Sequence, residues 1–223
     1  MGSMRSLAKR LGFSEESEQL VRQALTHVSY ANENPGSIDN ERLEFLGDSV
    51  LSLVCSTHLY KKFPALPEGQ LSKLRASLVC EAALASIARS FDLQSVVFLG
   101  RSAQASNGRA KPRILAGCVE ALLGAAFLSG GLFRAEELFQ LFYADMLDNT
   151  SDPVAFMDAK TTLQEYAPEA VSYTLLGYSG PDHDRTFRVS VSVAGRAVGL
   201  GEGKSKKQAE QAAAAEALRN LRV

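Results

Sequence analysis

Three carboxylates carry the first chemistry that this sequence offers: Glu44, Asp48 and Glu120. Glu44 and Asp48 stand four apart in a run that reads as a helix opening after Asp39 or Asn40, either of which could cap it. Leu43, Leu46, Val50 and Val54 recur there at helical spacing, so one face is apolar and buried. The two carboxylates therefore stack on one face, with Glu41 a turn earlier. Like charges at that spacing cost about a few tenths of a kcal/mol even on an exposed helix. A solvated acidic stripe is one reading; a cation or a donor cluster facing them is the other. Glu120 is the only charged residue in the apolar run 114–128. A buried carboxylate must be paired, protonated or metal-bound. Arg42 or Arg75 could pair with it in a structural salt bridge. Alternatively, two carboxylates from one helix and one from another make an all-oxygen site suited to Mg²⁺. Such an ion polarises a phosphoryl oxygen and makes a bound water nucleophilic.

A second chemistry lies near the C-terminus, in Lys204-Ser205-Lys206-Lys207. Ser205 is placed to cap a terminal alanine-rich helix, whose N-terminal amides and dipole already favour anions. Lysines at that end form a phosphate clamp, although such a cluster by itself also suits a plain solvated surface. His27, His58 and Cys118 match no metal-ligand spacing.

The elements that must position these groups fall into two sets. Before residue 150 the pattern is helical throughout, with no strand signal. A helix starts at Ser14 with Glu15 and Glu16 in its first turn, and residues 32–37 are loop chemistry. The acidic helix runs to about residue 61, ahead of Pro64 and Pro67. Helices follow at 68–76 and 81–90, a basic loop at 100–112, the apolar helix at 114–128, a break at Gly130-Gly131 and a last helix at 133–147. The basic stretch 101–113 could itself meet phosphate. The polar change of composition at 148–153 marks a linker, 149–157, between a first domain at 5–148 and a second at 158–223. In the second, a short helix at 158–166 precedes a strand at 173–178, the alternating strand Thr186–Val193, an Ala194-Gly195 turn and a strand at 196–200. The terminal helix closes an α-β-β-β-α module.

Composition sets bounds. The hydrophobic fraction of 46% and charged fraction of 22% are those of an ordinary globular protein. A net charge of −1 gives no global pull on nucleic acid, and the second domain is neutral, with nine basic and nine acidic residues from Ser151 on. Any attraction must come from local placement. The three isolated cysteines, Cys55, Cys80 and Cys118, suit a reducing compartment, and the expected location is the cytoplasm. No apolar run reaches the roughly 18–20 residues of a membrane span, so no membrane is expected. Met1-Gly2-Ser3-Met4 reads as a cloning remnant followed by a second start.

The run Glu41-Arg42-Leu43-Glu44-Phe45-Leu46-Gly47-Asp48-Ser49-Val50-Leu51 closely resembles the signature of the ribonuclease III family of double-stranded-RNA endonucleases. Ala24-Leu25-Thr26-His27, Glu68-Gly69-Gln70-Leu71-Ser72, Leu74-Arg75-Ala76-Ser77-Leu78-Val79 and Glu120-Ala121-Leu122-Leu123-Gly124-Ala125 support it, in the family's order. The resemblance implies a multidomain protein: an all-α nuclease domain that forms homodimers, then an α+β double-stranded-RNA-binding domain. It implies hydrolysis of both strands of duplex RNA with Mg²⁺, or Mn²⁺ as substitute, leaving 5′-phosphates and short 3′ overhangs, and a role in RNA processing that includes rRNA precursors. By position, Glu44, Asp48 and Glu120 would hold the metal, with Asp48 and Glu120 catalytic, and Phe45 would be an aromatic knob in the dimer contact. In the second domain Thr161, Gln164 and Glu165 of the first helix, Gly180, Pro181 and His183 of the loop between strands, and Lys204, Ser205, Lys206 and Lys207 would contact RNA. Such domains read the A-form shape of duplex RNA.

One position departs from the family. Where the family has Ile-Leu-Ala-Asp, this chain has Ile114-Leu115-Ala116-Gly117, so a metal-binding aspartate is replaced by glycine. Mg²⁺ accepts water in place of a ligand, so a weaker site is one expectation. A duplex-RNA-binding protein with an impaired or inactive nuclease site is the other.

Overall fold

The computed structural model describes residues 4–148, 159–168, 170–181 and 184–221, and for 145–148 the backbone alone. The chain divides into two compact units, Met1–Asn149 and Thr150–Val223. The linker expected at 149–157 lies outside the described residues.

The first unit is helical: α1 Met4–Arg10, α2 Glu18–Ala24, α3 Val28–Glu33, α4 Glu41–Lys62, α5 Glu68–Val79, α6 Glu81–Ser90, α7 Arg101–Ala105 and α8 Pro112–Asp148. Its core is the face of α4 bearing Leu43, Val50, Leu51 and Val54, laid against the apolar half of α8, where Leu115, Val119, Leu122 and Leu123 are fully or nearly fully buried. α8 kinks at Gly130 and Gly131, whose backbone leaves helical geometry, and Gly131 takes a φ of +70° that favours glycine.

Several expectations need correction. Ser14 does not cap a helix through its side chain; a 3₁₀ turn at Glu15–Ser17 precedes α2, and the Ser14 hydroxyl pairs with Ser17. The stretch 100–112 is not a loop but α7 and a 3₁₀ turn at Gly108–Ala110. Hydrogen bonds to residues distant in the chain hold it rather than an apolar stripe, which is why periodicity missed it. The Arg101 amide donates to Glu33, and the Gly100 amide to the Ser29 hydroxyl. Arg109 is no phosphate finger: its guanidinium donates to the carbonyls of Gln94 and Val97 at 2.8 and 2.9 Å. The expectation on membrane-length runs is also overturned, since Pro112–Ala144 is long and apolar enough by length and composition to cross one. Within the fold, 61% of that apolar window is buried, as befits the central helix of a helical core.

The second unit comprises α9 Ala159–Tyr166, β1 Val171–Ser179, β2 Thr186–Val193, β3 Arg196–Gly203 and α10 Lys206–Leu221. The strands form one antiparallel sheet in the order β1-β2-β3. β1 and β3 run longer than their hydrophobic patterns indicated, because ladder pairing with β2 extends them through polar and glycine residues. Ala194 and Gly195 both have positive φ, which gives the tight two-residue turn that a right-handed strand twist prefers. Val189 and Val191 face α9 and α10, meeting Leu163, Ala213 and Ala217 in a small core. Gly199 and Gly201 of β3 lie so close to α10 that a Cβ on either would run into its backbone. The pairing of small residues on strand and helix lets this short module bury a dry face.

Candidate functional site

Asn40 is the residue before α4, yet its side chain does not cap the helix. It is buried and donates to the Ala24 carbonyl, while the Asp39 carboxylate accepts from the Glu41 amide. The start of α4 is thereby fastened to α2, and Glu44 and Asp48 emerge on its polar side. Opposite them α8 presents Glu120. The two helices approach unusually closely at a glycine pair. A Cβ on Gly47 would collide with the Glu120 carbonyl oxygen, and one on Gly124 with the Leu43 carbonyl oxygen. Backbone contact at this crossing sets the carboxylates of the two helices against each other.

Glu44, Asp48 and Glu120 line one pocket of about 490 Å³ together with Glu41, Phe45 and Arg113. Neither Arg42 nor Arg75 serves Glu120 as a partner. Arg42 lies exposed, and Arg75 donates to the Ser56 hydroxyl at 3.1 Å. The cation nearest in effect is Arg113, which also stands 3.9 Å from Glu44. Burial first, then the charges of Glu44 and Asp48, push the Glu120 carboxyl up to about 7, and Arg113 offsets part of this. A carboxylate so strained by like charge has an unmet demand for positive charge, and hard oxygen donors meet the preference of Mg²⁺ or Mn²⁺. The residues present therefore fit a divalent ion. They are not a preformed cage: among the described residues no three His, Cys, Asp or Glu side chains are gathered closely enough to hold one. Gly117 offers no ligand, but it faces the site, since a Cβ there would lie 2.5 Å from Glu44 Oε2.

His27 also lines the pocket, a placement that sequence spacing did not reveal. Its amide donates to the Phe98 carbonyl, and its Nδ1 accepts from the Ser29 amide at 3.2 Å, which fixes the ring beside α4. His58 is elsewhere, against Phe139. Cys118 is fully buried, and burial pushes its thiol up to about 12, so it offers no nucleophile. Phe45 is 80% exposed at the pocket edge, and Leu53 and Tyr60 continue an exposed apolar stripe along α4.

In the second unit the expected contact residues that the structure describes are all at the surface. Thr161, Gln164 and Glu165 are exposed on α9, where Gln164 donates to the Pro168 carbonyl. Gly180 and Pro181 are exposed after β1, and His183 lies outside the described residues. Ser205 caps α10, its hydroxyl accepting from the Gln208 amide at 3.2 Å. Lys206 and Lys207 project from the first turn, and Lys204 donates to Asp184 at 2.6 Å in an exposed pair that a phosphate could replace.

The comparisons agree with this division. Residues 17–147 match the Ribonuclease-III-like family, and residues 159–221 match the Double-stranded RNA binding motif. The chain is 46% identical over 225 residues to Ribonuclease 3 of Desulforamulus reducens, covering 96% of this chain and 90% of that protein. It is 48% identical over 220 residues to Ribonuclease 3 of Streptomyces coelicolor, covering 97% and 79% respectively. Among solved structures, a nuclease domain of ribonuclease III from Campylobacter jejuni aligns with a TM-score of 0.58 at 38% identity, covering 62% of this chain and 94% of that one. With both units matched along most of their length, the chain belongs to the ribonuclease III family.

Proposed function

We propose that the protein is a metal-dependent endoribonuclease that cleaves double-stranded RNA, with Glu44, Asp48 and Glu120 as its acidic centre. The observation that carries this reading is the convergence of the three carboxylates on one pocket from two helices locked at Gly47 and Gly124. A divalent ion bound there, Mg²⁺ or in its place Mn²⁺, would polarise the scissile phosphoryl oxygen and acidify a water. Glu44 and Glu120 would hold that charge in place. Asp48, exposed at the pocket mouth, orients the attacking water and accepts its proton. The water would attack phosphorus as the bond to the 3′ oxygen breaks; that oxygen would leave with the bonding electron pair and take up a proton from solvent, giving a 3′-hydroxyl, and the 5′-phosphate would remain on the other product.

The second unit supplies the grip on duplex RNA. Its α9 and β1–β2 contacts would address successive minor grooves, and the lysines at the start of α10 the phosphates between them. The relative from Campylobacter jejuni is described by a region involved in dimer formation. We infer that this chain also pairs with a second copy, using the exposed stripe of Phe45, Leu53 and Tyr60 that begins at the pocket edge. Its three cysteines are free thiols, which suits the reducing cytoplasm where RNA is processed.

The test is cleavage of a perfect RNA duplex against Mg²⁺ concentration by the unaltered chain and by Glu120→Gln. Cleavage should depend on Mg²⁺ and be lost in the variant, while duplex binding persists. Undiminished cleavage by Glu120→Gln would refute the assignment of the centre. Duplex binding without cleavage by the unaltered chain would favour an RNA-binding protein with a silent nuclease fold.

A further inference from the structure

Arg113 stands at the mouth of the carboxylate pocket, one helical turn before Gly117. Among the described residues that line this pocket it is the one Lys or Arg, set against Glu41, Glu44, Asp48 and Glu120. Its side chain is 83% exposed, and its Nη2 lies 3.9 Å from Glu44 Oε1. That separation is too long for a hydrogen bond. Exposed pairs of this kind shift an equilibrium by no more than about fivefold. Glu44 is therefore held, but loosely. Gly117 leaves room on the other side, because position 117 has no side chain to hold the Glu44 carboxylate that lies over it. An exposed contact of this length fixes neither side chain to the other.

The charge of the pocket gives that freedom a use. Carboxylates on two helices repel a phosphodiester, and one divalent ion offsets only part of their charge. A phosphate entering the pocket needs a further cation at the rim. A guanidinium on a long, exposed stem supplies one, with a planar fork of donors matched to phosphate oxygens.

We propose that Arg113 is a displaceable cation of the site: it neutralises Glu44 in the free protein and, once a divalent ion takes Glu44, turns to bind a phosphate of the RNA strand. The second half rests on the endonuclease reading; the first concerns the protein alone. In this arrangement one side chain links metal loading to substrate binding, because the ion that completes the acidic centre also releases the phosphate ligand.

The test compares the full chain with Arg113→Gln and Arg113→Lys. First, Mn²⁺ is titrated in the absence of RNA and the free ion is read by electron paramagnetic resonance. Arg113→Gln should bind Mn²⁺ about three- to fivefold more tightly, since the competing cation is gone, and Arg113→Lys should stay near the unaltered chain. Equal affinities of Arg113→Gln and the unaltered chain would overturn the competition for Glu44. Second, the salt dependence of kcat/KM on a short RNA duplex is measured at saturating metal. Arg113→Gln should raise KM several-fold and lower the salt slope by about one counterion, with Arg113→Lys recovering most of both. An unchanged KM and slope would overturn the phosphate contact. If the unaltered chain binds duplex without cutting it, the endonuclease reading fails. The salt slope of binding at saturating Mn²⁺ then decides the phosphate contact in the same way.

Discussion

Replacing Gly117 by aspartate is the sharpest perturbation of the acidic centre, and the geometry sets its size. A Cβ at position 117 would lie 2.5 Å from Glu44 Oε2 and 3.0 Å from its Cδ, so Glu44 must move aside. The obstacle is the end of a flexible side chain, so the steric cost is small. Electrostatics dominate. Two carboxylates about 4–5 Å apart repel by roughly 3–4 kcal/mol at an effective dielectric of about 20. Swinging into solvent and the nearby Arg113 reduce this to something like 1–2 kcal/mol in metal-free protein. Replacing a mid-helix glycine returns about a few tenths of a kcal/mol. With a divalent ion in the pocket the sign reverses. A fourth charged ligand should favour binding by about 1–3 kcal/mol, or roughly 5- to 150-fold in affinity. Gly117→Asp should thus unfold at lower urea than the unaltered chain in chelator, and gain more stability as Mg²⁺ is added. Its cleavage should exceed that of the unaltered chain at low Mg²⁺ and converge with it at high Mg²⁺. Coincident curves for both stability and cleavage would show that position 117 does not act on the ion, and would refute the reasoning.

Three further outcomes follow from the same geometry. Gly47→Ala should destabilise the first unit by about 3 kcal/mol or more in urea unfolding, because its Cβ meets the Glu120 backbone rather than a movable side chain; a loss under about 1 kcal/mol would mean that the helix crossing adjusts freely. In chelator, stability should fall as pH rises from about 4.5 to 7: the folded Glu120 carboxyl, raised to about 7, holds its proton where the unfolded one has released it. A shift of this size would be worth about 3 kcal/mol for a fully buried group, and about 1 kcal/mol once solvent screening at this half-exposed carboxyl is allowed for. Glu120→Gln should remove that slope and be the more stable protein above pH 7, which urea melts across pH will show. Changing Lys204, Lys206 and Lys207 to alanine should weaken duplex binding and lower its salt slope by up to about three counterions; an unaltered slope would place the clamp elsewhere.

Local pattern carried much of this protein. The four-residue spacing of Glu44 and Asp48, the lone charge in an apolar run, the strict alternation of Thr186–Val193 and the Ala194-Gly195 turn are properties of consecutive residues. Helix and strand periods make them readable without a fold, and the two-unit architecture with its helical and α-β-β-β-α halves followed from them. The resemblance added which family the signature run belongs to. What periodicity could not supply was any fact fixed by residues distant in the chain. α7 and the turn after it are held by bonds to Ser29, Gln94 and Val97, so a polar, glycine-containing stretch looked like loop. Arg109 and Arg113 are equally basic in sequence. Only the fold commits one to backbone carbonyls and turns the other to the carboxylate pocket. The elevated Glu120 carboxyl likewise depends on burial and on the charges of another helix. Gly47 and Gly124 show the divide most plainly. Each reads as a helix-weakening residue in its own segment. Across the tertiary contact, their missing side chains let two backbones touch and bring the acidic groups of both helices to one pocket.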